Sequence, residues 1–255
     1  MSGPRSEVHR IDSAHNKRFR ELLDLHHGKS IRKQSRALLA GEKIVAEALR
    51  RHPARCRAWV TARDREPPPE DAPPGLVWVQ IETALFRELD LFGTHRPLLV
   101  VDAPELPAWS QDEELPAGAT LLLPFQNPEN VGAAVRSGVA FGASAIVLLA
   151  ESAHPLHPRS VRASAGAVLG APLRRGPALA DLRPAEGIVA LSTAGRDLRG
   201  FAFPERFALL AGLEGPGLPQ AWRSHAVAVP IAKEVESLNA AAAVAVGLYA
   251  WRSGG

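Results

Sequence analysis

The stretch Phe207-Ala208-Leu209-Leu210-Ala211-Gly212-Leu213-Glu214-Gly215-Pro216-Gly217-Leu218-Pro219 decides how the rest of the chain is read. Its first five residues form an uncharged apolar run, the length of a strand buried on both faces. The run ends in three glycines set around one carboxylate. Glycine tolerates positive φ and lets backbone or ligand come close. Ligands of open α/β sheets bind beyond the carboxyl ends of the strands, so the loop reads as a ligand site; it reads equally as a turn stapled by glycine. No G-x-G-x-x-G with a strand before it and a helix after it occurs, so it is not a dinucleotide fingerprint.

Similar apolar runs stand at Leu121–Leu123, Ala145–Leu149, Gly187–Leu191 and Ala226–Val229, separated by helical segments. Near-continuous apolar strands alternating with helices predict an α/β domain whose parallel sheet is covered on both faces, from residue 120 onward. Upstream, residues 17–63 read as two helices, Lys17–His27 and Glu42–Arg51, followed by a strand at Ala58–Thr61. Strand-like and helical pieces resume at Leu76–Ile81 and Thr83–Leu91, and residues 97–101 read as the last strand of a first domain. Residues 102–119, with three prolines, five carboxylates and no periodicity, read as a linker.

Charge supports two domains. Residues 1–66 hold 16 Lys/Arg against 8 Asp/Glu, whereas residues 67–255 hold 14 against 19, within a net charge of +3. A basic module joined to an acidic one suggests a polyanionic partner, since lysine and arginine attract phosphates; a solvated basic face is the alternative. The densest cluster is Lys29-Ser-Ile-Arg32-Lys33-Gln-Ser-Arg36. A lone cysteine, Cys56, leaves no internal disulfide; the polar start of the chain and the absence of an apolar run near 20 residues point to the cytoplasm and away from a membrane.

Two further segments carry chemistry. In Gln126-Asn-Pro-Glu-Asn130-Val-Gly132-Ala-Ala-Val-Arg136, Asn127 can cap a helix whose first residue is Pro128, and Gly132 leaves room beside Arg136. That is an anion or polar-ligand site, or a tightly packed helix with a surface arginine. In Val229–Tyr249, Ser237 reads as a helix cap, and Asn239 is the only amide or charged side chain for over three turns of apolar helix. Such a helix is central in the core or shared with a second subunit, and a buried amide needs a partner.

Taken together, the order of these motifs resembles the SpoU-type branch of the SPOUT methyltransferases. The first motif, N-x-G-x-x-x-R followed by Ala-Phe-Gly, is matched by Asn130, Gly132, Arg136 and Ala140-Phe141-Gly142. The second, G-x-E-G-x-G-L, is matched by Gly212, Glu214, Gly215, Gly217 and Leu218; the third by Val229-Pro230 and Ser237-Leu238-Asn239. Arg162-Ala-Ser-Ala-Gly-Ala167 is similar to the family's Arg-x-Ser-x-Gly-Ala helix, and residues 29–49 look like the L30e-type domain that many members carry in front. Two positions depart from the pattern: Leu213 replaces a small or amide residue, and Ala232-Lys233-Glu234 replaces the usual methionine and glycine.

The resemblance implies an L30e-like RNA-binding domain at 1–101, a linker at 102–119, and a SpoU-type domain with a trefoil knot at 120–255. It implies S-adenosylmethionine held around Ser192, Thr193, Gly212, Leu213, Glu214, Gly215, Ile231, Leu238 and Asn239, with Asn130, Arg136, Glu214, Ser237 and Asn239 at the reacting end and no metal. Arg32, Lys33, Arg36, Lys43 and Arg136 are the expected RNA contacts. The implied activity is ribose 2'-O-methylation of structured RNA by a homodimer, ribosomal RNA before transfer RNA. An RNA-binding assembly factor without catalysis is the reading from another class.

Overall fold

The computed structural model describes residues 8–214 and 217–254, in two compact units. The first takes the chain up to Glu105 together with Leu156–Leu169. Its sheet is ordered β1 (Val8–Ile11), β4 (Val77–Ile81), β3 (Cys56–Ala62), β5 (Leu98–Asp102), β2 (Arg36–Leu39). Strands β1, β4 and β3 run parallel, while β5 opposes both β3 and β2. Helices α1 (Lys17–Asp24), α2 (Gly28–Gln34), α3 (Glu42–Arg51) and α4 (Thr83–Leu89) complete the first part of this unit.

Helix α1 starts where the Asn16 side chain accepts from the amides of Arg18 and Phe19, and it buries Phe19 and Leu22. It stops at Asp24, short of the predicted His27. The basic cluster folds as α2 around one buried side chain, Ile31, and Ser35 closes it in the left-handed region at φ 50°. Strands β1 and β2 escape sequence reading because each has four residues, too few for periodicity to show.

The second unit comprises Leu106–Pro155 and the chain from Gly170. Strand β6 (Gly118–Leu123) leads into helix α5 (Pro128–Ala140) and strand β7 (Ala145–Leu148). Helix α6 (Pro158–Ala163), which the sequence places inside the second domain, groups with the first compact unit. After it come β8 (Leu173–Arg175), β9 (Ile188–Asp197), β10 (Arg206–Leu210), β11 (Ala226–Ala228) and helix α7 (Ala240–Ser253). The six strands are ordered β11-β9-β10-β6-β7-β8 and all run parallel, as the apolar runs predict.

Most of the predicted linker is not a bare connection. Trp109 donates its amide to the Arg175 carbonyl at 2.8 Å, and its indole is buried with Leu122, Val147, Leu149 and Trp222. One aromatic anchor among prolines and carboxylates leaves no periodic trace in the sequence.

Strand β9 runs six residues past Leu191, and its far end lies against β11. Gly195 makes that approach possible: a Cβ there would stand 2.6 Å from backbone atoms of Ala226 and Val227, which cannot swing aside. Gly195→Ala is therefore expected to lower stability by about 3 kcal/mol, the upper end for overpacking, read as a fall in the urea midpoint. An unchanged midpoint would contradict this close packing.

Candidate functional site

The middle of β9 at Leu191–Ala194, the carboxyl end of β10, the segment after β11 and the starts of α5 and α7 enclose a cavity of about 750 Å³. Ser192, Thr193, Gly212, Leu213, Glu214, Ile231, Ser237, Leu238, Asn239 and Asn130 all line it, so residues more than a hundred positions apart meet there. Gly215 lies outside the described residues.

Glu214 organises one wall. Its Oε2 accepts from the amides of Gln126 and Asn127 at 3.1 and 2.9 Å, and its Oε1 accepts from Asn130 Nδ2. The two amides precede helix α5, whose positive end favours a carboxylate. The helix begins as predicted, with Asn127 Oδ1 accepting from the Glu129 amide and Pro128 in the first turn. Asn239 Nδ2 in turn donates to Asn130 Oδ1 at 3.0 Å. Asn130 is thereby held at both ends of its amide, which settles which way the group faces.

Asn239, not Ser237, caps α7: its Oδ1 accepts from the amides of Ala241 and Ala242 at 3.0 and 3.1 Å. The expected buried amide inside a helix is instead an exposed cap outside it, because the helix starts two residues later than the sequence suggests. The partner that a buried asparagine would need exists all the same, supplied by α5.

The loop after β10 is pinched at its base. The amides of Leu213 and Gly217 donate to each other's carbonyls at 3.1 and 3.0 Å. A Cβ on Gly212 would stand 3.2 Å from backbone atoms of Gly217, so the pinch leaves little room for a side chain there. The Leu213 side chain packs on the core beneath, which gives this departure from the family pattern an anchoring role. Lys233 is exposed in a turn and does not line the cavity.

The lining residues outside the set expected from sequence include Trp222, Arg223 and Glu236. Trp222 and Arg223 sit in the short 3-10 segment Gln220–His225, with Trp222 buried, just beyond the proline where the glycine-loop motif ends. An aromatic and an arginine following the motif are the only signal for them.

Arg136 does not join this set. It is exposed on α5 and does not line the cavity. Among the expected RNA contacts, Arg32, Lys33 and Lys43 are exposed, whereas Arg36 pairs with Asp102, which also holds Arg57. Burial, and then the neighbouring Arg57 charge, push the Arg36 guanidinium below its ordinary range. Arg36 is thus tied to the end of β5. Among the described residues no cluster of three or more His, Cys, Asp or Glu side chains could hold a metal ion. Among the described residues no helix is long and apolar enough to cross a membrane.

A parallel sheet whose strand ends and glycine loop enclose a cavity of this size defines an α/β domain that binds a small molecule. Residues 120–249 match the SpoU rRNA Methylase family, and the chain belongs to that family. It is 50% identical over 246 residues to Ribosomal RNA small subunit methyltransferase G 2 of Syntrophobacter fumaroxidans, a match covering 96% of this chain and 49% of that protein. The chain therefore spans about half the length of that relative. It is 28% identical over 249 residues to the 23S rRNA (guanosine(2553)-2'-O)-methyltransferase RlmP of Bacillus subtilis, covering 94% of this chain and 97% of that one. The crystal structure of the SpoU methyltransferase AviRb from Streptomyces viridochromogenes in complex with AdoMet is similar with a TM-score of 0.73 and 25% identity, covering 93% of this chain and 97% of that chain.

Proposed function

We propose that the chain transfers a methyl group from S-adenosylmethionine to a ribose 2'-hydroxyl of structured RNA, ribosomal before transfer RNA, in the cytoplasm. The observation that carries this reading is the bond sequence Glu214–Asn130–Asn239, which draws the glycine loop, the start of α5 and the start of α7 around one cavity. Family membership and the names of RlmP and AviRb support it.

The cavity suits the cofactor. Its volume lies within the roughly 300–1,000 Å³ of small-molecule sites. Glu214 and Glu236 favour a cation, and Arg223 provides a guanidinium that would hold a carboxylate. Backbone around Ser192, Thr193, Gly212 and Leu238 would hold the remainder. S-adenosylmethionine supplies, when bound, a methyl group on a positively charged sulfur. The residues of this chain then have to align the ribose oxygen with that methyl and favour loss of its proton.

Arg136 takes the second task in this reading. A guanidinium stays protonated, so it acts by orienting the ribose or an adjoining phosphate and by stabilising the developing alkoxide, not as a base. Its place outside the cavity fits a site completed by a second copy of the chain. Val139 on α5 is 43% exposed, and Val246 and Tyr249 on α7 are 38% and 62% exposed, an apolar face on adjoining helices that suits a twofold homodimer. The first unit, with exposed Arg32, Lys33 and Lys43, is the RNA-binding module of L30e type in the same reading.

Methyl transfer to total RNA followed by alkaline digestion tests the activity. A methylated 2' oxygen cannot attack its neighbouring phosphate, so the label is expected in an alkali-resistant dinucleotide. Label found only in mononucleotides would rule out the ribose as acceptor.

A further inference from the structure

Three elements of the first unit meet away from the cavity: the α1–α2 connection, the loop between α4 and β5, and helix α6. His26 Nε2 bonds the Leu89 carbonyl at 3.0 Å, joining the first two. His157 caps α6 by accepting the Arg159 amide at Nδ1, 3.2 Å away, and bonds the His26 backbone, joining the third. Burial, and then the Arg159 charge, hold the His157 ring below the ordinary histidine range, which preserves the neutral form that this cap requires.

The loop after α4 is fixed in shape. The buried Asp90 carboxylate accepts the His95 amide at 2.6 Å and the Thr94 hydroxyl at 3.2 Å, while His95 holds φ 53°, a region that side-chain-bearing residues rarely occupy. Strain of this kind persists where the surroundings over-determine it, and it gathers at binding sites. The loop presents Phe92, and the exposed Arg162 of α6 lays its guanidinium 4.4 Å from the centre of that ring. His95 and Arg96 are exposed beside it, and α2 carries exposed Lys29, Arg32 and Lys33.

Sequence-tolerant RNA contacts are built from an aromatic ring or an arginine plane on which an unpaired base stacks, flanked by cations that track the backbone. Phe92 with Arg162 supplies the first, and α2 supplies the second. We infer that the Phe92–Arg162 pair is a stacking platform for one unpaired base of the RNA, so that helix α6, which lies within the stretch that matches the family, contributes to substrate grip. This inference rests on the proposed action on RNA.

Filter binding of the full chain to ribosomal RNA transcribed in vitro tests it, with calorimetric binding of S-adenosylmethionine as the control. Phe92→Leu is expected to weaken RNA binding about tenfold, within the range that stacking one base contributes, and to leave cofactor affinity unchanged. Phe92→Trp should restore RNA binding. Arg162→Gln should weaken it too and reduce the salt dependence by about one counterion. RNA binding by the wild type that survives both Phe92→Leu and Arg162→Gln overturns the platform alone. Absence of RNA binding by the wild type overturns the RNA reading and the platform with it.

Discussion

Arg136→Lys is expected to lower methyl transfer about a hundredfold, the scale of losing one well-placed donor to developing charge. The same variant should bind S-adenosylmethionine as the wild type does, because Arg136 does not line the cavity. Lysine keeps the charge and loses the planar fork that engages two oxygens at once. Turnover and cofactor affinity measured on the same preparation separate the two roles. Near-normal turnover would mean that residue 136 serves only as a point charge.

The second large effect belongs to Glu214→Ala. One carboxylate there accepts from the amides of Gln126 and Asn127 and from Asn130. Hydrogen bonds to a charged group contribute about 1.5–3 kcal/mol each, and three on one group do not add. A loss of about 2.7 kcal/mol in cofactor binding, or a hundredfold in affinity, is the expected result. Glu214→Gln should fall between, because its amide keeps one acceptor but turns a donor toward groups that are themselves donors. Wild-type affinity in the alanine variant would show that the loop keeps its shape without this network.

The second unit was largely legible in the sequence because its strands are buried on both faces, and burial on both faces writes itself as uninterrupted apolar runs such as Leu121–Leu123 and Phe207–Ala211. Strand β8 was not, since Leu173-Arg-Arg175 is a three-residue edge strand whose side chains are not fully buried. The first unit was legible only in part. Its mixed sheet includes four-residue strands, and the order β1-β4-β3-β5-β2 depends on pairings between distant segments that leave no local mark.

Within the site, Asn130, Glu214 and Asn239 could be named from motif order, yet what each does could not. The reading of Asn239 as an amide buried in a helix depended on where α7 begins, and helix starts shift with one capping bond. Arg36 looked like any other member of a basic cluster until the fold brought Asp102 beside it. The place of α6 in the first unit was equally hidden, since it depends on Arg162 finding Phe92 and His157 finding His26, contacts between segments more than sixty residues apart.

The most direct test of the account is a crystal structure of the chain grown with S-adenosylmethionine. The cofactor is expected between the pinched loop at Gly212–Gly217 and the segment Ile231–Asn239, with its sulfonium facing the cavity wall that Glu214 and Asn130 shape. Cofactor bound at any other place, or these two segments drawn apart around an empty cavity, would contradict it.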